Sequence, residues 1–217
     1  MASDRTRRCA VIRAIYLIRH GETEWNRAGR MQGHRDSPLT DRGERQAIAI
    51  GSWLHDAIGN RDGAAIVASP LARARRTAEI VGRRLGVPAD RFIFDDRLKE
   101  ITWGEWDGLT LSEIRARDEE RWRWRLDDRW NVAPPKGESY AMLVRRVAAF
   151  LETATSADPL IVVTHGATGR VLRGLYAGLA SDQILALDEP QDAIFRLCDG
   201  TVARIEIDIV DAREIDR

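Results

Sequence analysis

Residues 14–23 read AIYLIRHGET, a short apolar run that stops abruptly at charged and polar residues. The run Ala14–Ile18 has the length and composition of a buried strand. Two further runs of this kind, Ala64–Ala68 and Leu160–Val163, end in the same abrupt way. Longer stretches with helical periodicity separate the three runs. This alternation predicts an α/β fold: a three-layer sandwich with a mostly parallel central sheet and helices on both faces.

The intervening helices are predicted from apolar residues at three- and four-residue spacing. The helices are predicted to start near Thr40, Leu71, Ser139 and Gly166, with Ser139 as a capping residue. Near the C-terminus, residues 193–197 and 202–207 are predicted to form an edge hairpin around the turn dipeptide Asp199-Gly200. Phe92–Phe94 is a weaker strand candidate.

Residues 102–130 differ from the rest of the chain, because five of its seven tryptophans lie there among dense charge. Trp122, Leu126 and Trp130 have the spacing of one helix face. We interpret residues 102–135 as a lid-like helical insert packed over the active edge of the sheet. An amphipathic surface helix without a functional role explains the same pattern.

The length of 217 residues favours one domain over residues 1–217, with residues 1–13 as a flexible basic extension. Basic and acidic residues are balanced at 34 each, so no global field favours nucleic acid or an acidic membrane as a partner. No run approaches the roughly 18 apolar residues of a membrane-spanning helix. The two cysteines, Cys9 and Cys198, lack the spacing of a disulfide framework or a metal site. The expectation is a cytoplasmic protein.

The polar residues that follow the three apolar runs carry the candidate chemistry. Arg19 and His20 follow the first run, Arg73 lies shortly after the second, and His165 follows the third. Because ligands of parallel sheets bind beyond the carboxyl ends of the strands, these side chains are expected to converge. Guanidinium groups, together with backbone N–H groups after a glycine such as Gly166, suit a phosphate.

A divalent metal is the alternative occupant that two histidines and a glutamate suggest. Placing Arg19 and Arg73 beside a cation is electrostatically costly, and the histidines do not form a short helical pair such as H-E-x-x-H. We therefore predict no metal. Taken singly, each histidine is typical of a hydrogen-bonded loop residue, and Glu100 is typical of a surface charge.

The run Leu17–Asn26, LIRHGETEWN, resembles the signature of the histidine phosphatase superfamily, which contains cofactor-dependent phosphoglycerate mutases and many phosphomonoesterases. Further matching motifs follow in the family's order: Gln32-Gly33, Asp36–Thr40, Gly43, Gln46-Ala47, Ser69–Arg73, Thr77-Ala78, Leu98–Glu100, Gly104–Gly108, Gly137–Ser139, Thr164–Gly166 and Arg170. Each motif alone is weak, whereas the ordered set is specific.

The resemblance implies roles for the matching residues. His20 is expected to accept the phosphoryl group as a phosphohistidine, and Glu100 is expected to protonate the leaving group. The phosphoryl group is expected to be held by Arg19, Arg73 and His165. Further contacts to the phosphate are expected from Thr23, Asn26, Gln32, Gly33 and Gly166. The resemblance also implies a small phosphorylated metabolite as substrate, no metal or organic cofactor, and a possible homodimer.

Three functions stay open at this point. The residues after Asn26 and after Glu100 are similar to the phosphatase branch, which favours a phosphomonoesterase over phosphoglycerate mutase-type phosphoryl transfer. A phosphate-binding module without turnover is the alternative of another class, although such a module has no need of Glu100.

Two sets of side chains bear on the substrate. A stacking wall for a ring-bearing phosphomonoester, or else core packing, is predicted for Trp25, Trp103 and Trp106. A second anionic group on the substrate would be favoured by three arginines close to the signature: Arg27, Arg30 and Arg35.

Overall fold

The three apolar runs lie side by side in one sheet in the computed structural model, which describes residues 14–59, 64–154 and 159–209. The strands of the described residues are β1 (Ile15–Arg19), β2 (Ala65–Ala68), β3 (Phe92–Phe94), β4 (Leu160–Thr164), β5 (Ala193–Cys198) and β6 (Thr201–Glu206). The predicted extension at residues 1–13 lies outside the described residues.

The strand order is β3-β2-β4-β1-β5-β6. Strands β3, β2, β4 and β1 run parallel to one another, β5 is antiparallel to β1, and β6 is antiparallel to β5. The predicted edge hairpin and the weaker strand candidate are thus both present. Because β2, β4 and β1 are consecutive, their carboxyl ends lie next to one another at one edge of the sheet.

Seven α-helices occur within the described ranges: α1 (Glu24–Arg27), α2 (Asp41–Ile58), α3 (Ala72–Leu85), α4 (Leu111–Asp127), α5 (Tyr140–Thr153), α6 (Gly166–Tyr176) and α7 (Ser181–Ala186). Hydroxyl caps start two of the long ones at the predicted positions. Thr40 accepts the N–H of Gly43 at 3.0 Å, and Ser139 accepts that of Met142 at 3.3 Å.

The sheet separates two apolar cores, because successive residues of a strand point to opposite faces. Tyr16 and Ile18 of β1 pack in a core with α2 and α3, whereas Ile15 and Leu17 pack in a second core with α5 and α6. Burying a side chain such as Ile18 contributes roughly 1.5–3 kcal/mol. The predicted three-layer sandwich with helices on both faces is confirmed.

The helix of the insert is shorter than its apolar spacing predicted. α4 ends at Asp127, so Trp130 does not share a helix face with Trp122 and Leu126. The Asp128 carboxylate accepts both the backbone and the side-chain N–H of Asn131, at 3.0 and 2.8 Å, and this local turn competes with further helix. Trp130 instead stacks on Tyr140, with the ring centroids 6.5 Å apart.

No helix of the described ranges combines the length and the apolar character needed to cross a membrane.

Candidate active site

The ends of β1, β2 and β4 bring the predicted residues together. The N–H of His20 donates to the carbonyl of Thr164 at 2.9 Å, and that of Ser69 donates to the carbonyl of Val163 at 3.0 Å. The rings of His20 and His165 meet edge to face, with centroids 5.1 Å apart. A pair of histidines that is far apart in sequence therefore meets at one sheet edge, because their strands are neighbours.

His20 is held in one tautomer. Its Nδ1 lies 2.8 Å from the carbonyl oxygen of Gly21, which can only accept a hydrogen bond, so Nδ1 carries the proton. The other nitrogen, Nε2, accepts a hydrogen bond from Nε of Arg73 at 3.2 Å. His20 thus presents a lone pair on Nε2, which is the state that a nucleophilic histidine needs.

Burial and positive neighbours keep both histidines neutral. Burial lowers the pKa of His20 well below its ordinary value of 6.5, and the charges of Arg73 and Arg19 lower it further. The pKa of His165 is also lowered well below 6.5, first by burial and then by Arg73 and His20. Near neutral pH, His20 is therefore an unprotonated base without the help of a carboxylate.

Arg73 is almost fully buried, with 1% of its surface exposed. Besides His20, its guanidinium donates to Asp36 at 2.7 Å, to the carbonyl of Gly33 at 2.6 Å and to that of Arg35 at 3.2 Å. Burial lowers the pKa of Arg73, and the charge of Asp36 opposes that shift. These contacts fix a positive charge against Nε2 of His20 before any substrate binds, which is preorganisation in the electrostatic sense.

Two buried nitrogen atoms beside His20 have no hydrogen-bond partner among the described residues: Nε of Arg19 and Nδ1 of His165. The other ring nitrogen of His165 lies 2.7 Å from the hydroxyl of Ser69. The guanidinium of Arg19 also donates to the backbone carbonyl of Glu189. Leaving a buried donor unpaired costs about 1–3 kcal/mol, and the oxygens of an anion would supply the missing acceptors.

Glu100 is buried against the start of α6. Its carboxylate accepts the N–H groups of Ala167 and Thr168, both at 3.2 Å, and the N–H of Ile101 at 2.9 Å. The hydroxyl of Thr168 adds a further hydrogen bond at 3.2 Å. These donors fix the orientation of the carboxyl group, which faces the same cavity as His20.

The cavity in front of His20 has a volume of about 180 Å³, and we call it the site cavity. The predicted residues that line it directly are Arg19, His20, Asn26, Gln32 and Glu100. Arg73 and His165 reach the site through their contacts with His20 rather than through the cavity wall.

Two of the predicted phosphate contacts instead hold other site residues in place. The hydroxyl of Thr23 donates to Gln32 at 2.8 Å, and Thr23 also caps α1. The carbonyl of Gly33 accepts from Arg73, while its N–H donates to Asp107 at 2.8 Å.

Close approach to backbone requires glycine at position 21, whereas at position 166 a larger residue would have to displace a side chain. A Cβ on Gly21 would lie 2.2 Å from the carbonyl oxygen of Gly43, and a Cβ on Gly166 would lie 2.5 Å from a carboxylate oxygen of Glu189. Both distances are far below van der Waals contact. The glycine after each histidine thus lets a second segment pack directly against the strand end.

Sequence reasoning missed the segment Glu189–Gln191, which lies just before β5 and contacts the site. Gln191 donates to the backbone carbonyl of His20 at 3.1 Å and to the side-chain oxygen of Asn26 at 3.0 Å. Burial raises the pKa of Glu189, and the charge of Arg170, whose guanidinium lies 3.0 Å away, opposes that shift. The available signal was the antiparallel hairpin, because an antiparallel neighbour of β1 begins where β1 ends.

The side chains proposed for the substrate are distributed differently from the prediction. Of the three arginines only Arg30 lines the site cavity, where it pairs with Glu113 at 3.0 Å. Arg27 pairs with Glu24 on the surface, and Arg35 lies over the ring of Trp25. Among the three tryptophans, Trp103 lines the cavity and Trp106 is a core residue with 1% of its surface exposed.

In the described ranges, no group of three or more histidine, cysteine, aspartate or glutamate side chains is placed to hold a metal ion. The side chains around His20 are instead dominated by the guanidinium groups of Arg19 and Arg73. This arrangement suits an anion with several oxygens.

A family model described as histidine phosphatase superfamily (branch 1) matches residues 15–197. The chain belongs to this superfamily. A probable phosphoglycerate mutase GpmB of Erwinia tasmaniensis is 35% identical to this histidine phosphatase over 197 residues, which cover 88% of this chain and 84% of that protein.

Solved structures agree with this assignment. Bacillus stearothermophilus YhfR is 30% identical, with a TM-score of 0.73 over 92% of this chain and 98% of its own. A mycobacterial glucosyl-3-phosphoglycerate phosphatase is 29% identical, with a TM-score of 0.70 over 92% and 99% of the two chains. The family predicted from the motifs is confirmed, and the chain is a histidine phosphatase family enzyme that acts on phosphorylated small molecules.

Proposed function

We propose that the chain is a phosphomonoesterase that transfers the phosphoryl group of its substrate to Nε2 of His20. Arg19, Arg73 and His165 bind the phosphoryl group, and Glu100 is the proton donor. The observation that carries the proposal is the buried neutral tautomer of His20, whose Nε2 lone pair lies against the guanidinium of Arg73. A nucleophile and a fixed positive charge are thereby presented at one place.

In the first step, Nε–H of Arg73 shifts its hydrogen bond from Nε2 of His20 to a phosphoryl oxygen, and the freed Nε2 lone pair forms a bond to phosphorus while the bond from phosphorus to the ester oxygen breaks. The leaving oxygen takes a proton from Glu100 and departs as an alcohol. The ring of His20 then carries a positive charge, which the carbonyl of Gly21 stabilises by accepting the hydrogen bond from Nδ1–H. The charge on the equatorial oxygens is balanced by Arg19 and Arg73.

In the second step, a water molecule attacks phosphorus and the N–P bond breaks. The water gives its proton to the Glu100 carboxylate, which restores the acid, and inorganic phosphate leaves. One water is consumed in each turnover, and both His20 and Glu100 return to their starting states.

The unpartnered nitrogens of Arg19 and His165 support binding of a phosphoryl group at this place. A buried donor without an acceptor is destabilising, so its retention beside the nucleophile fits a ligand that brings acceptors. Phosphoryl oxygens match the planar fork of a guanidinium group in geometry as well as charge.

The test is turnover of 4-nitrophenyl phosphate with a chelator present, combined with acid-stable and acid-labile phosphate analysis of the quenched protein. We expect turnover to resist the chelator, and an acid-labile phosphoenzyme to form. His20→Ala is expected to lower kcat by at least about 10⁴-fold, as for loss of other enzymic nucleophiles. His55→Ala, at an exposed helix position, is the matched control. Equal turnover by the His20→Ala variant would contradict the proposal.

A phosphoglycerate mutase is the second candidate function, because relatives at 34–35% identity are named probable phosphoglycerate mutase GpmB. Given 3-phosphoglycerate and a bisphosphate primer, a mutase returns the phosphoryl group to the acceptor and forms 2-phosphoglycerate. A phosphomonoesterase releases inorganic phosphate instead. Isomer formation that outpaces phosphate release would favour the mutase, and failure of both reactions would favour a phosphate-binding module.

A further inference from the structure

A second cavity adjoins the site cavity and has a volume of about 240 Å³; we call it the insert cavity. The two cavities share four lining residues: Met31, Trp103, Tyr140 and Glu189. The insert adds Trp122 and Arg125 from α4 to its wall. The insert cavity therefore adjoins the space in front of His20.

Arg125 is the unusual member of this wall, because it is a buried cation without a counter-charge. Only 2% of its surface is exposed. Its Nη1 donates to the carbonyl of Val132 at 2.6 Å, and no carboxylate pairs with it in the part of the chain that the structure describes. Burial lowers the pKa of Arg125 to about 10, a shift that Tyr140 opposes and to which the charge of Arg129 adds.

A buried guanidinium normally has an anionic partner, since removing a charge from water is costly. Surface arginines of the same helix have such partners: Arg115 and Arg123 both pair with Glu119, at 3.0 and 3.1 Å. The absence of one at Arg125, at a position that faces a cavity, points to an anion supplied from outside the chain.

The net charge of the insert-cavity wall is positive. Arg129 and Arg170 lie in it together with Arg125, against the single carboxylate of Glu189. That carboxylate is engaged by Arg170 at 3.0 Å. The wall therefore keeps an excess of positive charge that an anionic ligand would balance.

Aromatic rings form the other part of the wall. The guanidinium carbon of Arg125 lies 4.9 Å from the ring centroid of Trp103. Trp122 packs against the buried Trp106, with the centroids 5.8 Å apart. Rings fixed in this way offer flat apolar surface to a ligand at little cost in side-chain entropy.

We propose that the insert cavity binds the leaving group of the phosphomonoester, that Arg125 binds a second anionic group on it, and that Trp103 and Trp122 contact its ring or apolar part. The substrate class is thus a phosphomonoester that carries a carboxylate or a second phosphate on a bulky leaving group. This inference rests on the proposed function, because it needs the ester phosphate to be at His20.

The experiment compares two aryl esters of similar size, phenyl phosphate and 4-carboxyphenyl phosphate, with the intact chain. We expect kcat/KM to be at least about tenfold higher for the carboxylated ester, the scale of one charge-assisted contact. In Arg125→Gln the ratio of kcat/KM for the carboxylated ester to kcat/KM for phenyl phosphate is expected to fall to about one. A third ester, 1,4-phenylene bisphosphate, shows whether a second phosphate raises kcat/KM more than a carboxylate does.

Arg123→Gln is the matched control, since Arg123 is an exposed residue of the same helix and does not line the cavity. It is expected to keep the full preference. Arg125→Lys keeps the charge and loses the planar fork, so it is expected to keep part of the preference; it replaces Arg125→Gln if that variant does not fold.

Three results distinguish the possible failures. Equal kcat/KM for the carboxylated and the plain ester in the unmodified chain overturns the inference and leaves the proposed function intact. A preference that is unchanged in Arg125→Gln, or in Arg125→Lys where that variant stands in, also overturns it. Turnover of none of the esters by the unmodified chain contradicts the proposed function itself.

Discussion

The phosphoryl pocket, formed by Arg19, His20, Arg73, Glu100 and His165, and the insert cavity are built by different means. The pocket residues follow neighbouring strands, and their side chains are fixed by several hydrogen bonds each. Arg73 alone donates to four acceptors. The insert cavity depends on α4, which is kinked at Asp118 and exposes about half of Trp124 and Leu126.

This difference assigns phosphoryl transfer to the phosphoryl pocket and the choice of substrate to the insert cavity. A group that transfers phosphate must keep its atoms within tenths of an ångström, and the edge of a buried parallel sheet provides that rigidity. A helix that packs through a few aromatic and arginine contacts can change its lining residues without disturbing that edge. We therefore expect changes in the pocket to lower turnover of every ester, and changes in the insert cavity to alter the choice among esters.

The largest effect is expected for Arg73→Lys. Lysine keeps the charge but cannot donate to His20, Asp36 and two carbonyl groups at once. We expect kcat for all esters to fall by about 10³-fold, the scale of removing an oriented donor to the transferring group. Arg76→Lys, on an exposed turn of the same helix, is the control in steady-state kinetics. An effect confined to one ester would contradict the assignment of Arg73 to the reaction of every ester.

Glu100→Gln is expected to have the next largest effect, and its size should depend on the leaving group. Gln cannot give a proton to an alkoxide, so kcat for an alkyl phosphate is expected to fall by about 10²- to 10³-fold. 4-Nitrophenolate leaves without a proton, so its ester is expected to lose less than about tenfold. Glu105→Gln, at a surface pair with Lys136, should change neither rate. Equal losses for both esters would argue against the role of proton donor.

The buried histidines of the phosphoryl pocket are expected to make stability depend on pH. Their pKa values are lowered in the folded chain, so below pH 6.5 the unfolded chain binds protons that the folded chain does not. Stability should therefore fall as pH decreases below 6.5, by up to about 1.4 kcal/mol per pH unit for each histidine. The free energy of unfolding in urea, compared at pH 7 and pH 5.5, measures this fall in stability.

The double variant His20→Gln/His165→Gln should lose about 2 kcal/mol less than the unmodified chain between those two pH values. Identical losses would mean that these two histidines are not held neutral in the folded protein. No change in the insert cavity should alter this difference, because no histidine lines it.

The smallest effect is expected for Trp122→Ala in the insert cavity. Loss of one aromatic contact corresponds to about 0.5–1.5 kcal/mol, so kcat/KM for aryl esters should fall by roughly 2- to 12-fold. Methyl phosphate, which does not reach the insert cavity, should be unaffected. Trp124→Ala, at a side chain that is half exposed, is the matched control. A fall in kcat/KM for methyl phosphate as well would mean that Trp122 stabilises the phosphoryl pocket instead of contacting the leaving group.

Most of the sheet, and the residues at its active edge, could be predicted from the sequence. The runs at Ala14–Ile18, Ala64–Ala68 and Leu160–Val163 alternate with stretches of helical periodicity, and this alternation predicted a mostly parallel sheet whose strand ends carry the candidate residues. The tautomer of His20 was not predictable, because it depends on the direction of the Gly21 carbonyl. The four hydrogen bonds that Arg73 donates were not predictable either, because three of the acceptors lie in a loop.

The amino-acid sequence by itself determined the fold, the family and the residues that meet at the strand ends, because periodicity and short motifs are local properties of a chain. Only the tertiary structure decided which arginine of the insert is buried. Arg121, Arg123 and Arg125 alternate within five residues and are alike in sequence. Arg125 alone lies against Trp103 and Val132, which are brought to it by chain folding. Burial of a charge depends on every segment packed around it, and no local pattern encodes that.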